Sequence, residues 1–166
     1  MTILLLDGDT LPALAITRSL GSRGIPVVVA SHQQNPIAGY SRYASSILDY
    51  PNPLLAPDDF VRWLEDQLTD HQYQLVIPAT ERTLVPIARH FHNSSHYNRI
   101  AAPELDALET VLDKSRTALL ARQCDAPLPA SWDITSTEAL RSALPELSYP
   151  MVIKPGRSIS DNSLRT

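Results

Sequence analysis

The sequence has one cysteine, Cys124, so it cannot close an internal disulfide. A disulfide scaffold is excluded, and the composition suits a reducing cytoplasm. Glycine is scarce as well, with five in 166 residues. No G-x-G-x-x-G run is present to receive a dinucleotide pyrophosphate. No apolar run approaches the ~18 residues that span a bilayer, so no membrane partner is expected. Basic residues are outnumbered, with 14 Lys+Arg against 18 Asp+Glu and a formal net charge of -4. That balance argues against a general nucleic-acid binder, which normally carries a basic face. The start, Met1 to Asp7, has neither a basic leader nor a small-residue cleavage site and does not read as an export signal. Internal repeats, low-complexity tracts and like-charge blocks are missing too.

Proline, by contrast, is plentiful, with 14 in the chain. The prolines fall mostly between periodic segments and so punctuate them. Ile3 to Leu6 is a continuous apolar run, as expected of a strand buried on both faces of a parallel sheet. Asp7-Gly8-Asp9 forms a turn, Thr10 caps a helix, and Pro12 is tolerated in its first turn. Leu14, Ile16 and Leu20 give that helix an apolar side, and Gly21 and Gly24 end it. Val27 to Ala30 is a second buried strand, which completes a βαβ unit.

The alternation continues. Short strands are expected at Ser45 to Leu48, Leu75 to Ile77 and Arg99 to Ala101. Helices are expected from Pro57 through Leu68, over Glu81 to Phe91, Glu104 to Leu112 and Lys114 to Arg122. This order implies an α/β fold, a Rossmann-like open parallel sheet flanked by helices. Ligands of such a sheet dock beyond the carboxyl ends of its strands. After Cys124 the texture changes. Asp125 to Pro129 is an extended linker, Ser136 or Thr137 caps a helix through Leu144, and Tyr149 to Pro155 reads as a strand. Gly156 to Thr166 is polar and unpatterned. The expected division is a first domain over 1–112 and an incomplete second one over 113–166.

Several residues could carry chemistry. The first strand–helix turn is a common phosphate cradle, but here Asp7 and Asp9 would repel phosphate. Asp9 or Thr10 serves as a cap, or the rim receives an amine or other polar substrate. Thr80 and Glu81 sit just past a strand end and act as helix cap, as substrate contact, or as both. His90, His92 and His96 lack the spacing and the acidic or thiolate partners of a metal site. Cys124 has no nearby histidine to activate it and reads as a small buried apolar side chain. Lys114 opens a helix after Asp113. Lys154 lies within an apolar strand and must reach a sheet edge or an anion, because an unpaired buried charge is costly.

The whole chain resembles the ATP-grasp superfamily, in particular its carbamoyl-phosphate-synthase-like carboxylate–amine ligases. The resemblance rests on Ile3 to Gly8 with Leu20 to Val27, on Asp113-Lys114-Ser115-Arg116-Thr117 with the later Ala126 to Pro129 turn, and on Tyr149-Pro150-Met151-Val152-Ile153-Lys154-Pro155. It implies a pre-ATP-grasp domain followed by the first strands of a grasp domain. It further implies a parent enzyme that uses ATP and Mg²⁺ to phosphorylate a carboxylate, which an amine or thiol then attacks. On that reading Lys114 and Lys154 contact ATP phosphates, and Asp7, Asp9, Thr80 and Glu81 are candidates for the substrate rim. The partners implied are small-molecule carboxylates and amines, and family members often form homodimers.

The loop after Lys154, Gly156 to Ser163, has one glycine where the family usually has several. The adenine pocket and the acidic magnesium ligands would lie downstream of Thr166. The expectation is therefore a truncated piece that neither hydrolyses ATP nor binds it tightly and holds no metal. The alternative is a standalone Rossmann-like module that binds a small ligand or regulates without catalysis. A nicotinamide-dependent oxidoreductase is disfavoured by Asp7-Gly8-Asp9.

Overall fold

The computed structural model describes residues 2–70 and 73–157. The chain divides into two compact units, one running to Leu105 and the other beginning at Asp106. The division drawn from sequence falls a little later, at 112/113.

The first unit is a four-stranded parallel sheet in the order β3-β2-β1-β4, with β1 at Ile3–Leu5, β2 at Val27–Ser31, β3 at Ala44–Asp49 and β4 at Leu75–Ile77. Every residue of β1 and β2 is buried, as their unbroken apolar runs require. The pleat sends alternate side chains to opposite faces. Leu4, Leu6, Val28, Ala30 and Val76 face one core cluster, while Leu5, Val27 and Val29 face the other. The first cluster is covered by α2 (Pro57–Asp70) and α3 (Glu81–Phe91). In α2 the buried residues Phe60, Val61, Leu64 and Leu68 form one helical stripe, and each contributes about 2 kcal/mol of apolar burial. The second cluster is covered by α1 (Leu11–Gly21) and a 3₁₀ turn over Ile37–Tyr40.

The two glycines expected to end α1 do different work. Gly24 is the left-handed residue, with φ +76°, whereas a Cβ on Gly21 would lie 2.3 Å from the Tyr43 side chain. Gly21 is thus required by close approach and Gly24 by backbone conformation. At the sheet's far side the expected Arg99–Ala101 strand contributes only an isolated parallel bridge, Val76 to Ile100. The 3₁₀ turn over Ser95–Arg99 ends immediately before it and leaves no length for a ladder.

The second unit carries most of α4 (Leu105–Leu112), with α5 (Lys114–Gln123), α6 (Thr137–Ala143) and a 3₁₀ turn at Leu144–Glu146. Two sequence expectations are corrected here. Tyr149 to Pro155 is not a strand; it is irregular and exposed, and among the described residues no neighbouring strand offers it a ladder. Lys154 is accordingly exposed rather than held in a buried strand. Cys124 is exposed as well, because it caps the carboxyl end of α5, a helix with no buried residue. The stretch from Ser158 onward, which includes most of the loop after Lys154, lies outside the described residues.

Candidate functional site

All four strands deliver polar side chains to one end of the sheet, just past their carboxyl termini. β1 leads into Asp7 and Asp9, β2 ends at Ser31 and is followed by His32, β3 is followed by Tyr50, and β4 leads to Thr80 and Arg82. Asp7 is fully buried and takes the left-handed conformation, φ 58°, which aspartate tolerates better than most residues. Gly8 next to it is needed for space, since a Cβ there would lie 2.5 Å from Val29 Cγ1.

The Asp7 carboxylate is saturated. Oδ2 accepts from the Thr80 backbone N–H at 2.8 Å and from Thr83 Oγ1 at 2.6 Å. Oδ1 accepts from Arg82 at 3.0 and 3.2 Å and from the Tyr50 hydroxyl at 3.4 Å. Tyr50 Oη in turn accepts from the Asp7 backbone N–H at 3.1 Å. Burial, reinforced by the Asp7 charge, pushes the Tyr50 phenol far above its ordinary value, so it stays neutral.

The same guanidinium reaches Asp9, with Arg82 Nη2 at 2.8 Å from Oδ1 and 3.0 Å from Oδ2. Ser31 Oγ adds a hydrogen bond to Asp9 Oδ1 at 3.0 Å. Burial raises the Asp9 carboxyl, but the hydrogen bonds from Arg82 and Ser31 outweigh it and hold the group below its ordinary value. Arg82 is the mirror case: burial lowers its pKa, and the two aspartates more than restore it. His32 packs beside this pair with a side chain only 7 % exposed, its Nδ1 4.0 Å from Asp9 Oδ1 and without a hydrogen-bond partner. Burial and the nearby Arg82 charge lower its pKa, so the ring is neutral at physiological pH.

Of the sequence candidates at this rim, Asp7, Asp9 and Thr80 come together, and Glu81 begins α3 alongside them. Thr80 is the cap residue of α3 by position, but its Oγ1 makes no capping bond and is buried without a partner. Thr10, by contrast, caps α1 through a bond from Ala13 N–H at 3.3 Å. Sequence reasoning passed over Arg82, Tyr50, Ser31, His32 and Thr83. The available signal was their common place just after strand ends, together with the cost of leaving two aspartates there without a cation.

The lysine region belongs to the second unit. Asp113 caps α5 by accepting from the N–H groups of Ser115 and Arg116 at 3.0 and 3.1 Å. Those bonds, despite some burial opposing them, hold its carboxyl below the ordinary value. The Lys114 N–H donates to the Gly156 carbonyl at 3.0 Å, which ties the start of α5 to the segment just after Lys154. Arg157, also missed, reaches Glu109 at 3.1 Å and Asp113 at 3.6 Å. His92 and His96 turn to local partners, Arg89 O and Arg99. Among the described residues no three His, Cys, Asp or Glu side chains converge as a metal site would need. No helix among them is long and apolar enough to cross a membrane.

The fold, a parallel α/β sheet with its polar cluster at the strand ends, is shared with solved structures. The solved structures it matches are ATP-grasp enzymes, aligned over their amino-terminal portions. One is an L-amino acid ligase from Bacillus licheniformis, with 14% identity, a TM-score of 0.67 and coverage of 95% of this chain and 36% of the other. Another is N5-carboxyaminoimidazole ribonucleotide synthetase from Thermotoga maritima, with 16% identity, a TM-score of 0.62 and coverage of 90% and 37%. A third is the biotin carboxylase domain dimer of the Hydrogenobacter thermophilus 2-oxoglutarate carboxylase, bound to MgADP and bicarbonate, with 20% identity, a TM-score of 0.60 and coverage of 89% and 33%. The chain therefore spans about a third of the length of these proteins. No protein-family model and no curated protein matches it.

Proposed function

We propose that this chain is the amino-terminal piece of an ATP-dependent ligase that joins a carboxylate to an amine or thiol through an acyl phosphate. The observation that carries the reading is the fold likeness, which extends over about nine-tenths of this chain and only about a third of each enzyme. The second unit supports it. Val152 and Ile153 are 79% and 90% exposed, as expected of apolar residues that a continuing grasp sheet would cover.

In this reading 1–112 is the pre-ATP-grasp domain and 113–166 the start of the grasp domain. Lys114 and Lys154 contact ATP phosphates and neutralise charge that builds during phosphoryl transfer. Mg²⁺ is held by acidic residues of the parent. The Lys114–Gly156 bond supports the pairing of these segments, since it keeps the start of α5 beside the chain that follows Lys154. Asp7 and Asp9 shape the substrate rim through Arg82, and Thr80 and Glu81 form its edge. The substrates are small carboxylates and amines, the protein is cytoplasmic, and the parent dimerises.

The test begins with the reading frame beyond Thr166. About 150 to 250 further residues, with a strand-borne Glu and a nearby Glu-x-Asn, are expected from domain sizes. The parent then releases ADP only when both a carboxylate and an amine are supplied. A broad screen of such pairs without any stimulation would overturn the ligase assignment. The 166-residue chain alone neither hydrolyses ATP nor binds it tightly; micromolar nucleotide affinity in a titration would contradict that.

A further inference from the structure

We infer that the outer edge of β3 is a self-association surface, along which a second copy of this chain pairs its own β3 antiparallel across a two-fold axis. The sheet order leaves its two outer strands in different states. β4 is partly covered, because Val76 bridges to Ile100 and accepts from the Ala101 N–H at 2.8 Å. β3 has no strand on its outer side among the described residues. An open edge offers a row of backbone N–H and C=O groups to a strand that can reach it.

The usual protections are missing from that edge. Ala44–Asp49 contains no proline and no lysine, the residues that natural edges carry against pairing. Its irregularity falls at the start, opposite Val27 and Val28, so Ser46 to Asp49 run in regular register with β2. Ser45, Ser46, Ile47 and Asp49 are exposed. The two serines are small enough to let a neighbouring backbone approach. Apolar surface flanks them: Ile47 is 48% exposed, and Tyr40 and Ile37 of the adjoining 3₁₀ turn are 76% and 40% exposed. That turn is held close to the strand, since a Cβ on Gly39 would lie 2.6 Å from Ile47 Cδ1. A two-fold axis duplicates this patch and so doubles the apolar area that association hides.

Charge identifies the partner as the same strand. Arg42 stands exposed just before β3, and Asp49, also exposed, is its last residue. Arg42 donates to the Tyr43 hydroxyl and lies over that ring. Neither Arg42 nor Asp49 has an ion-pair partner among the described residues. Two copies of β3 laid parallel would set Arg42 beside Arg42 and Asp49 beside Asp49. Laid antiparallel, each Arg42 end meets the other copy's Asp49 end, and opposite charges across a strand pair are favourable where like charges are not. The antiparallel arrangement is also the one that a two-fold axis generates and that closes at two copies. It joins the two sheets into one. The inference rests on the homodimer reading given above and supplies its surface; it uses no nucleotide and no ligase chemistry.

The test is sedimentation equilibrium of the 166-residue chain over a concentration series, with circular dichroism to confirm that each variant is folded. A monomer–dimer equilibrium in the micromolar range is expected, as suits a small interface. Ile47→Lys, which puts a charge on the edge, should abolish the dimer. Arg42→Glu should weaken it by about tenfold or more, because the symmetry turns two attractive contacts into repulsive ones. Combining Arg42→Glu with Asp49→Lys should restore it. Both positions lie on the surface, so this charge exchange decides the matter even if Ile47→Lys loses its native spectrum. A dimer that folded Ile47→Lys or Arg42→Glu leaves unweakened, or a charge exchange that restores nothing, overturns pairing through β3 and leaves the dimer reading standing. A chain that stays monomeric throughout the series overturns both.

Discussion

The two units differ most in what they do with their apolar side chains. In the first, the two central strands of a parallel sheet, β1 and β2, are buried along their whole length, and the strand ends are locked by Asp7 and Arg82. In the second, Leu119, Leu120, Val152 and Ile153 stand in solvent while Leu108 and Ala143 are its buried apolar residues among those described. Both segments have ordinary helix caps and aliphatic composition. The difference teaches that patterning makes local elements, but a core needs enough of them to enclose a volume.

The sharpest way to break that contrast is to cut the core of the first unit. Phe60→Ala removes a fully buried ring and should cost about 3–5 kcal/mol in denaturant unfolding. A loss below about 1 kcal/mol would mean that the first unit is no better packed than the second. Next in size is Asp7→Ala. It leaves Arg82 short of a partner and orphans the Thr80 N–H and Thr83 hydroxyl, for a loss of about 3 kcal/mol, as when a buried ion pair is broken from one side.

The pH response is smaller and has a definite sign. His32 has a lowered pKa in the folded chain, so below its ordinary value near 6.5 the unfolded chain binds a proton that the folded chain refuses. Its stability contribution is full above that point and declines as pH falls toward the folded value. Asp9, held low by Arg82 and Ser31, adds a second decline in more acidic solution, below its unfolded value. Melting curves at successive pH values should show the first decline, and His32→Gln should flatten it. The smallest effect expected is Ile153→Ser, within about 0.5 kcal/mol, since that side chain is 90% exposed. A larger loss would show that the second unit has more of a core than its exposed side chains indicate.

Much of the first unit was legible in the chain. Unbroken runs such as Ile3–Leu6 and Val27–Ala30 can only be buried on both faces, and the Phe60, Leu64, Leu68 spacing fixes a stripe on α2. Thr10 announces its helix as a cap. The rim was half legible. Asp7, Asp9 and Thr80 were found through their places after strands, but Arg82 and Tyr50 join them from distant segments by contacts that no local spacing encodes. The second unit misled for a related reason. Tyr149 to Pro155 has strand composition, yet a strand exists only where a neighbour returns its hydrogen bonds, and composition says nothing of the neighbour. Cys124 followed the usual tendency of cysteine to be buried until the position of a helix end overrode it.

Asp7 also bears on how short a self-sufficient version of this protein can be. Its partners Thr80, Arg82 and Thr83 lie 73 to 76 residues away in the chain. A polypeptide ending before Thr80 would strand a charged carboxylate in a fully enclosed position with most of its donors gone. During synthesis β1 and β2 can emerge and pair, but the left-handed aspartate between them and the solvent end of the sheet stays unsatisfied until α3 has begun to form. The first half of the domain therefore cannot mature ahead of the second, and the minimal folding unit is set by an ion pair at the edge of the core as much as by the core itself.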